Sequence, residues 1–359
     1  AIFLTIFAIL FGTRLPGQRR DSNRGMMIAI AFESVVKLIA FVLVGLFCTF
    51  ELYDGFDNLF NLARQDPQVA SVFSTDFSQW ALVTQLLLAS LAIICLPRQF
   101  HVTFVESPDE ERYRNNARWF FPPYLLGFVI FVVPIAAAGL LKFGGLAPPD
   151  AFVLLLPMAF DNEPLAALAF LGGLSAATGM ILVSTLALAI MVANEILLPL
   201  MFRSSPEELR QRQDLSWIMV MVRRLCIVGI MSLAWLYYQS ATNERSLASI
   251  GLVAFVAAAQ FAPALLGGLY WRQANRYGAM AGMLIGLLSW ALMLVWPEMQ
   301  AEHIETVQQF VPLPVDPLTN GVLLSLGLNI LTYVAVSLAT TSRLVDRVQA
   351  ATFVDLLPT

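Results

Sequence analysis

Charged residues are scarce in this chain. Asp, Glu, Lys and Arg make up 13% of its 359 residues, whereas a soluble domain carries roughly 25%. Apolar residues make up 58%, and the formal net charge of −4 gives no indication of a nucleic-acid partner. A spanning helix needs roughly 20 apolar residues, so the composition excludes an ordinary soluble domain. It predicts an all-α, polytopic membrane protein with about nine membrane segments.

Cysteine and histidine are also scarce. Cys48, Cys95 and Cys226 all fall inside apolar runs, which disfavours a disulfide framework and predicts small buried hydrophobes. The two histidines, His101 and His303, fall on different segments, so we expect no metal site. The sequence shows no catalytic residues, no phospho-acceptor histidine box and no glycine-rich ATP lid.

The chain lacks an initiator methionine. It opens with a mainly apolar run of 12 residues, Ala1–Gly12, which is too short to span a bilayer. A basic cluster follows this run, whereas a signal peptide has its basic region first. We therefore expect the true N-terminus to lie before Ala1.

Long apolar runs predict eight full membrane spans after this half-span. The linkers between them alternate between arginine-rich and carboxylate-rich compositions. The positive-inside rule then places the arginine-rich linkers, and the C-terminus, in the cytoplasm. The predicted spans lie near 25–50, 80–100, 119–142, 164–202, 215–238, 246–270, 278–296 and 319–341.

Two predicted spans contain polar groups that are costly at membrane depth. Glu33 and Lys37 lie four residues apart on one helical face, with the acid first, a spacing that favours an ion pair. Such a pair could fix the helix against a neighbour or take part in ion coupling. Ser175 and Thr178 share a face of the span near 164–202. They are candidate ligands for a hard cation, or residues of a small packing face with hydroxyls bonded to their own helix.

The predicted span near 80–100 ends in a proline-containing segment. Pro97 removes one helical hydrogen bond, and the freed carbonyl suits a cavity at membrane depth. Pro97 could equally end the span, with Gln99 and His101 at the cytoplasmic interface. Pro97, Gln99 and His101 are therefore candidate pathway or gate residues.

The segment from Gly268 to Gly286 is the most specific part of the sequence. A polar turn with Arg272 and Arg276 is followed by Gly278, Gly282 and Gly286, which lie on one helical stripe. This pattern resembles a signature of the sodium/solute symporter family, with Gln273 where that family usually has Lys or Arg.

The resemblance implies a partial inverted-repeat fold of five plus five helices that begins in the fourth core helix. It implies a transmembrane domain over 1–341, with solute bound against a first core helix that lies before Ala1. The family binds sodium through two adjacent hydroxyl residues on the Ser175 helix, and the second position here is Ala176. The only cofactor implied is therefore Na⁺, with one hydroxyl missing. Gln99 and His101 resemble a family Gln-Pro-His element, with Phe100 in place of proline.

Three segments add a narrower resemblance, to the symporter-type input domain of bacterial sensor histidine kinases. They are residues 32–38, 96–106 and the polar tail 343–355. This resemblance implies a multi-pass inner-membrane protein with a cytoplasmic connector over 342–359. Its partners would be a small solute such as an amino acid or carboxylate, the bilayer, and a response regulator reached through kinase domains. A free-standing sodium-coupled symporter is the alternative.

Overall fold

The computed structural model describes residues 2–12, 24–73, 79–105, 110–204, 216–240, 247–296 and 316–341. Within these ranges the chain forms helices and short turns and no strand. In the part of the chain that the structure describes, seven helical segments are long and apolar enough to cross a membrane, and a bent pair makes an eighth. All eight predicted full spans therefore have a helical counterpart, and the chain is a multi-pass membrane protein. The predicted connectors at 203–216 and 342–359 lie almost wholly or wholly outside the described residues.

The helices follow the predicted order, with additional short segments between the spans. Four of the spans end in, or pass through, a π-helical segment of five residues. The helices are α1 Ile2–Gly12, α2 Arg24–Leu46, α3 Phe56–Gln65, α4 Pro67–Phe73, α5 Gln79–Cys95, α6 Pro97–Phe100, α7 Glu110–Phe143, α8 Phe152–Ala159, α9 Glu163–Val192, α10 Leu198–Ser204, α11 Ser216–Ser240, α12 Leu247–Ala259, α13 Ala262–Tyr270, α14 Arg276–Trp290 and α15 Pro317–Ala339. The π-helical segments are Phe47–Glu51, His101–Val105, Ala193–Leu197 and Ala291–Val295.

The helices divide between two compact units. The first unit comprises Ala1–Thr75 with His101–Thr242, and the second comprises Asp76–Phe100 with Asn243–Thr359. The first unit therefore contains α1–α4 and α7–α11, whereas the second contains α5, α6 and α12–α15.

The core of the first unit depends on close helix approaches at glycine. Gly45 on α2 faces the ring of Phe131 on α7, and Gly139 on α7 faces the ring of Phe152 on α8. A side chain at either glycine would overlap the aromatic ring that fills the space. Lipid tails are as apolar as the side chains, so tight contact rather than burial from water drives this packing.

A second cluster in the first unit joins α1, α9 and α11. Its buried members include Ala8, Leu186 and Ile227, one from each of these helices. The short first helix, predicted as a half-span, thus packs against two long spans.

In the second unit, α14 and α15 make the closest helix pair. Gly278 faces Ser337, Gly282 faces Asn329 and Tyr333, and Gly286 faces Asn329. As the residue numbers increase along α14, the numbers of the residues that they face on α15 decrease, so the two helices are antiparallel. The predicted glycine stripe is thus a contact face, as its spacing indicates.

Candidate functional site

The candidate site in the first unit is formed where α2 crosses α9. Gly172 and Gly179 lie two turns apart on α9 and allow the backbones to approach. A Cβ on Gly172 would lie 2.7 Å from the Cβ of Ala40 and 3.6 Å from the Cα of Lys37. The order of these contacts makes the two helices antiparallel.

The carboxylate of Glu33 occupies the space that a side chain at Gly179 would need. Glu33 is half-buried on α2, and Gly179 is buried on α9. Gly179 follows Thr178 directly and lies one turn after Ser175. The structure therefore brings a carboxylate to the polar segment of α9 that the sequence analysis had treated separately.

The hydroxyl of Thr178 is bonded within its own helix. Its Oγ1 donates a hydrogen bond of 2.9 Å to the backbone oxygen of Ser175. This is the local bonding that the packing alternative expected. The bond uses the hydroxyl proton and leaves the Oγ1 lone pairs available to a cation. A role of Ser175 and Thr178 as cation ligands stays a prediction.

The predicted Glu33–Lys37 pair lies on the same helix, and both side chains are half-buried. The acid faces Gly179, and the backbone of Lys37 lies beside Gly172. Both residues thus belong to the α2–α9 crossing. The ion pair itself stays a prediction.

The Pro97 region forms a bend. The segments Gln79–Cys95 and Pro97–Phe104 meet at 48°. Pro97 has no amide hydrogen, so the carbonyl four residues earlier, at Ile93, loses its helical donor. The backbone beyond the bend first forms α6 and then the π-helical segment that begins at His101. Such π-helical segments are frequent at functional sites.

The three gate candidates differ in burial. Pro97 and Gln99 are half-buried and belong to the second unit, whereas His101 is buried and belongs to the first. The bend agrees with the broken-helix interpretation of Pro97. The role of the three residues in a solute pathway stays a prediction.

The second unit contains a buried polar network that was not predicted from the sequence. The span Leu247–Tyr270 consists of two helices that are interrupted at Gln260 and Phe261, near its middle. Pro263 follows the interruption, at the start of α13. Its missing amide hydrogen leaves the carbonyl of Ala259 without a helical donor. The predicted span near 246–270 is therefore confirmed, and it consists of two helical segments with a short interruption between them.

Side chains from α15 bond the residues at this break. Gln260 is fully buried, and its Nε2 donates to Ser325 Oγ at 3.0 Å. Asn329 Nδ2 donates to the backbone oxygen of Gln260 at 2.8 Å and to its Oε1 at 3.0 Å. Irregular backbone at membrane depth requires partners of this kind, since lipid offers none.

The polar turn that precedes α14 is also bonded to α15. Asn275 caps α14 by accepting a hydrogen bond of 2.8 Å from the backbone nitrogen of Gly278. Its Nδ2 donates to the backbone oxygen of Ser337 at 3.0 Å and to Thr340 Oγ1 at 2.8 Å. The turn is thus held to the end of α15 by one asparagine.

An apolar groove of about 710 Å³ runs along the first unit. It lies between the end of α2 and the start of α9, with Glu51 and Asn162 among its polar lining residues. The predicted site residues do not line this groove. The crossing of α2 and α9, where Glu33, Ser175 and Thr178 lie, is farther along α9 than the groove.

Comparison with known proteins gives one family match. Residues 165–286, about a third of the chain, match the model of the sodium:solute symporter family. No curated protein and no solved structure gives a significant match. The matched segment includes Ser175, Thr178, Gln260 and the glycine stripe of α14, and it begins after Glu33 and the Pro97 region. The resemblance to the sodium/solute symporter family, stated from the sequence, is thus confirmed by the family match over residues 165–286.

Proposed function

We propose that this chain is a solute transport and sensing domain that serves as the membrane input of a two-component sensor histidine kinase. The observation that carries the transport part is the position of the Glu33 carboxylate against Gly179, beside Ser175 and Thr178. An ionisable group inside a membrane span is a functional candidate by default, because its burial is costly.

The chemistry of this crossing suits a small hard cation, and we propose Na⁺. Hydroxyl and carbonyl oxygens would supply neutral ligands, and the carboxylate would supply the charge. Ala176 in place of a second hydroxyl removes one oxygen that the family pattern has. Glu33 offers a carboxylate next to this segment, which supports cation binding without that hydroxyl.

Occupancy of the crossing by ion and solute would shift the balance between two conformations of the domain. The solute class that we propose is an amino acid or a small carboxylate. The last span leads into the polar tail that begins at Arg343. This tail would transmit the change in conformational balance to kinase domains and, through them, to a response regulator. The location that we propose with it is a bacterial inner membrane, with a cytoplasmic C-terminus.

The alternative is a free-standing sodium-coupled symporter, which the family match supports equally well. The reading frame beyond Thr359 distinguishes the two proposals. A phospho-acceptor histidine box and an ATP lid downstream support the sensor, whereas an early stop codon supports the symporter.

Sodium-dependent thermal unfolding of the purified full chain tests the proposed ion site. We expect NaCl to raise the unfolding midpoint above that in choline chloride, because a ligand that binds only the folded state stabilises it. Ser175→Ala and Glu33→Gln should each reduce this difference.

Ser90→Ala is the matched control. Ser90 lies exposed on α5 and, like Thr178, its hydroxyl is bonded to its own helix, at 2.8 Å from the oxygen of Leu86. Loss of the sodium effect in both site variants, with the control unchanged, supports the site. An equal sodium effect in all variants would rule out this crossing as the ion site.

A further inference from the structure

Arg223 is a half-buried charged residue of the membrane span α11. It lies seven residues after Ser216, the first residue of α11, which corresponds to about 10 Å along the helix. Val220, Cys226 and Ile227 lie three or four residues away on the same face, and all three are buried. The neighbouring Arg224 is exposed. The Nε atom of Arg223 is buried as well, so this part of its side chain lies against the protein.

Within the described residues, the hydrogen bonding of this guanidinium is incomplete. Its NH2 group contacts Asn194 Oδ1 at 3.5 Å, the outer limit of a hydrogen bond. Its Nε atom is buried and has no hydrogen-bond partner among the described residues. A guanidinium carries five N–H donors and never loses its charge in a protein. A buried donor without an acceptor among the described residues needs an explanation, and a bound anion would supply the acceptor.

The position of Asn194 adds a local feature. Asn194 is half-buried in the π-helical segment Ala193–Leu197, at which α9 changes into α10. A π-helical turn widens the helix, and such turns are frequent at functional sites. Glu195 follows it, and its side chain is exposed. The side-chain amide of Asn194 has an NH2 group as well as an oxygen. A flip of the amide would exchange their positions and let the NH2 group donate to an oxyanion.

We propose that Arg223 and Asn194 form an oxyanion-binding site between α9 and α11. The group that it takes is a carboxylate or a phosphate, because planar guanidinium donors match these oxygens in a bidentate arrangement. The group can come from a soluble anion or from the headgroup of an anionic phospholipid. The proposal is independent of the proposed ion site, since it involves different residues and a ligand of opposite charge.

Thermal unfolding of the full chain in lipid nanodiscs tests this proposal. One arm uses phosphatidylcholine nanodiscs with added inorganic phosphate or acetate. The other arm replaces part of the lipid by phosphatidylglycerol and adds no soluble anion. We expect the wild-type midpoint to rise by about 2 °C or more in at least one arm. A rise in the first arm identifies a soluble anion, and a rise confined to the second identifies a lipid headgroup.

Two variants connect the response to the site. Arg223→Gln should lose the rise, whereas the matched control Arg224→Gln should keep it, since it removes the same charge from an exposed neighbour. Asn194→Asp places a carboxylate beside the guanidinium. It should raise the midpoint in phosphatidylcholine without soluble anion and should abolish the response to added anion.

The Asn194→Asp variant also covers the case in which Arg223→Gln does not fold. A wild-type protein that responds in neither arm would overturn the proposal. So would an Asn194→Asp variant that is less stable than wild type or keeps the full anion response.

Discussion

Replacing Asn329 by leucine tests how much the broken span in the second unit depends on α15. The Asn329 side chain is 1% exposed and donates to both the backbone oxygen and the Oε1 of Gln260. Leucine has a similar size and removes both hydrogen bonds. The two acceptors at Gln260 would remain buried without this donor, at a break where the helix does not supply one.

The expected loss follows from these two acceptors. A buried polar group left without a partner costs about 1–3 kcal/mol, whereas hydrogen bonds between membrane helices average about 0.6 kcal/mol, with a maximum of about 1.7. We therefore expect Asn329→Leu to lower the free energy of unfolding by about 2 kcal/mol. Asn58→Leu makes the same change at an exposed position on α3 and should have little effect.

A double-mutant cycle gives the sharper measurement. Gln260→Leu removes the Oε1 acceptor and keeps the backbone oxygen, which is the other acceptor of Asn329. The double variant therefore leaves fewer polar groups unpaired than the two single changes imply. We expect its loss to be smaller than the sum of the single losses by about 1 kcal/mol or more. The assay is reversible unfolding in mixed detergent micelles. Additive losses, or a neutral Asn329→Leu, would refute the idea that these bonds stabilise the break.

Two further predictions concern glycines at helix crossings. Gly282→Ala should destabilise the second unit by about 1–3 kcal/mol, because the new Cβ would lie 2.9 Å from a backbone oxygen of α15; this outweighs the roughly 1 kcal/mol gained in helix propensity. Gly251→Ala, which meets nothing within 4 Å, should be neutral or stabilising in the same unfolding assay. Gly179→Ala should displace the carboxylate of Glu33 and weaken sodium-dependent stabilisation, whereas Gly173→Ala, also in open space, should preserve it. Equal effects of the paired variants would contradict both predictions.

Hydropathy predicted the membrane spans because each one needs roughly 20 consecutive apolar residues. The glycine stripe of α14 was predicted on the same physical basis, since small residues at four-residue spacing allow close approach. Helix interruptions were harder to predict. A break at Pro97 was one of two alternatives drawn from the sequence, but the break before Pro263 was not predicted, although both prolines remove a helical donor. The difference is that Pro97 is followed directly by Arg98 and Gln99, whereas Pro263 is followed by Ala264, Leu265 and Leu266.

Contacts between residues of two different helices could not be predicted from the sequence of one helix alone. The sequence analysis placed Glu33 in one pair and Ser175 with Thr178 in another set. A helical period tells which residues share a face, but it does not tell which distant face packs against it. The contact of Glu33 with Gly179 joins positions that are far apart in the chain, so the hydropathy pattern could not predict it.

The α14–α15 pair shows which signal would have been sufficient. Ser325, Asn329, Tyr333 and Ser337 recur every fourth residue on α15, and all four are buried. The glycines of α14 recur at the same four-residue interval, and packing of such rows against each other is the commonest mode of helix contact. A row of small residues leaves space for the facing row of polar side chains, and two of these, Ser325 and Asn329, bond Gln260 at the break. Matching rows of equal period in successive apolar runs therefore predict which spans pack together, and in this chain they predict the contact that holds the broken span.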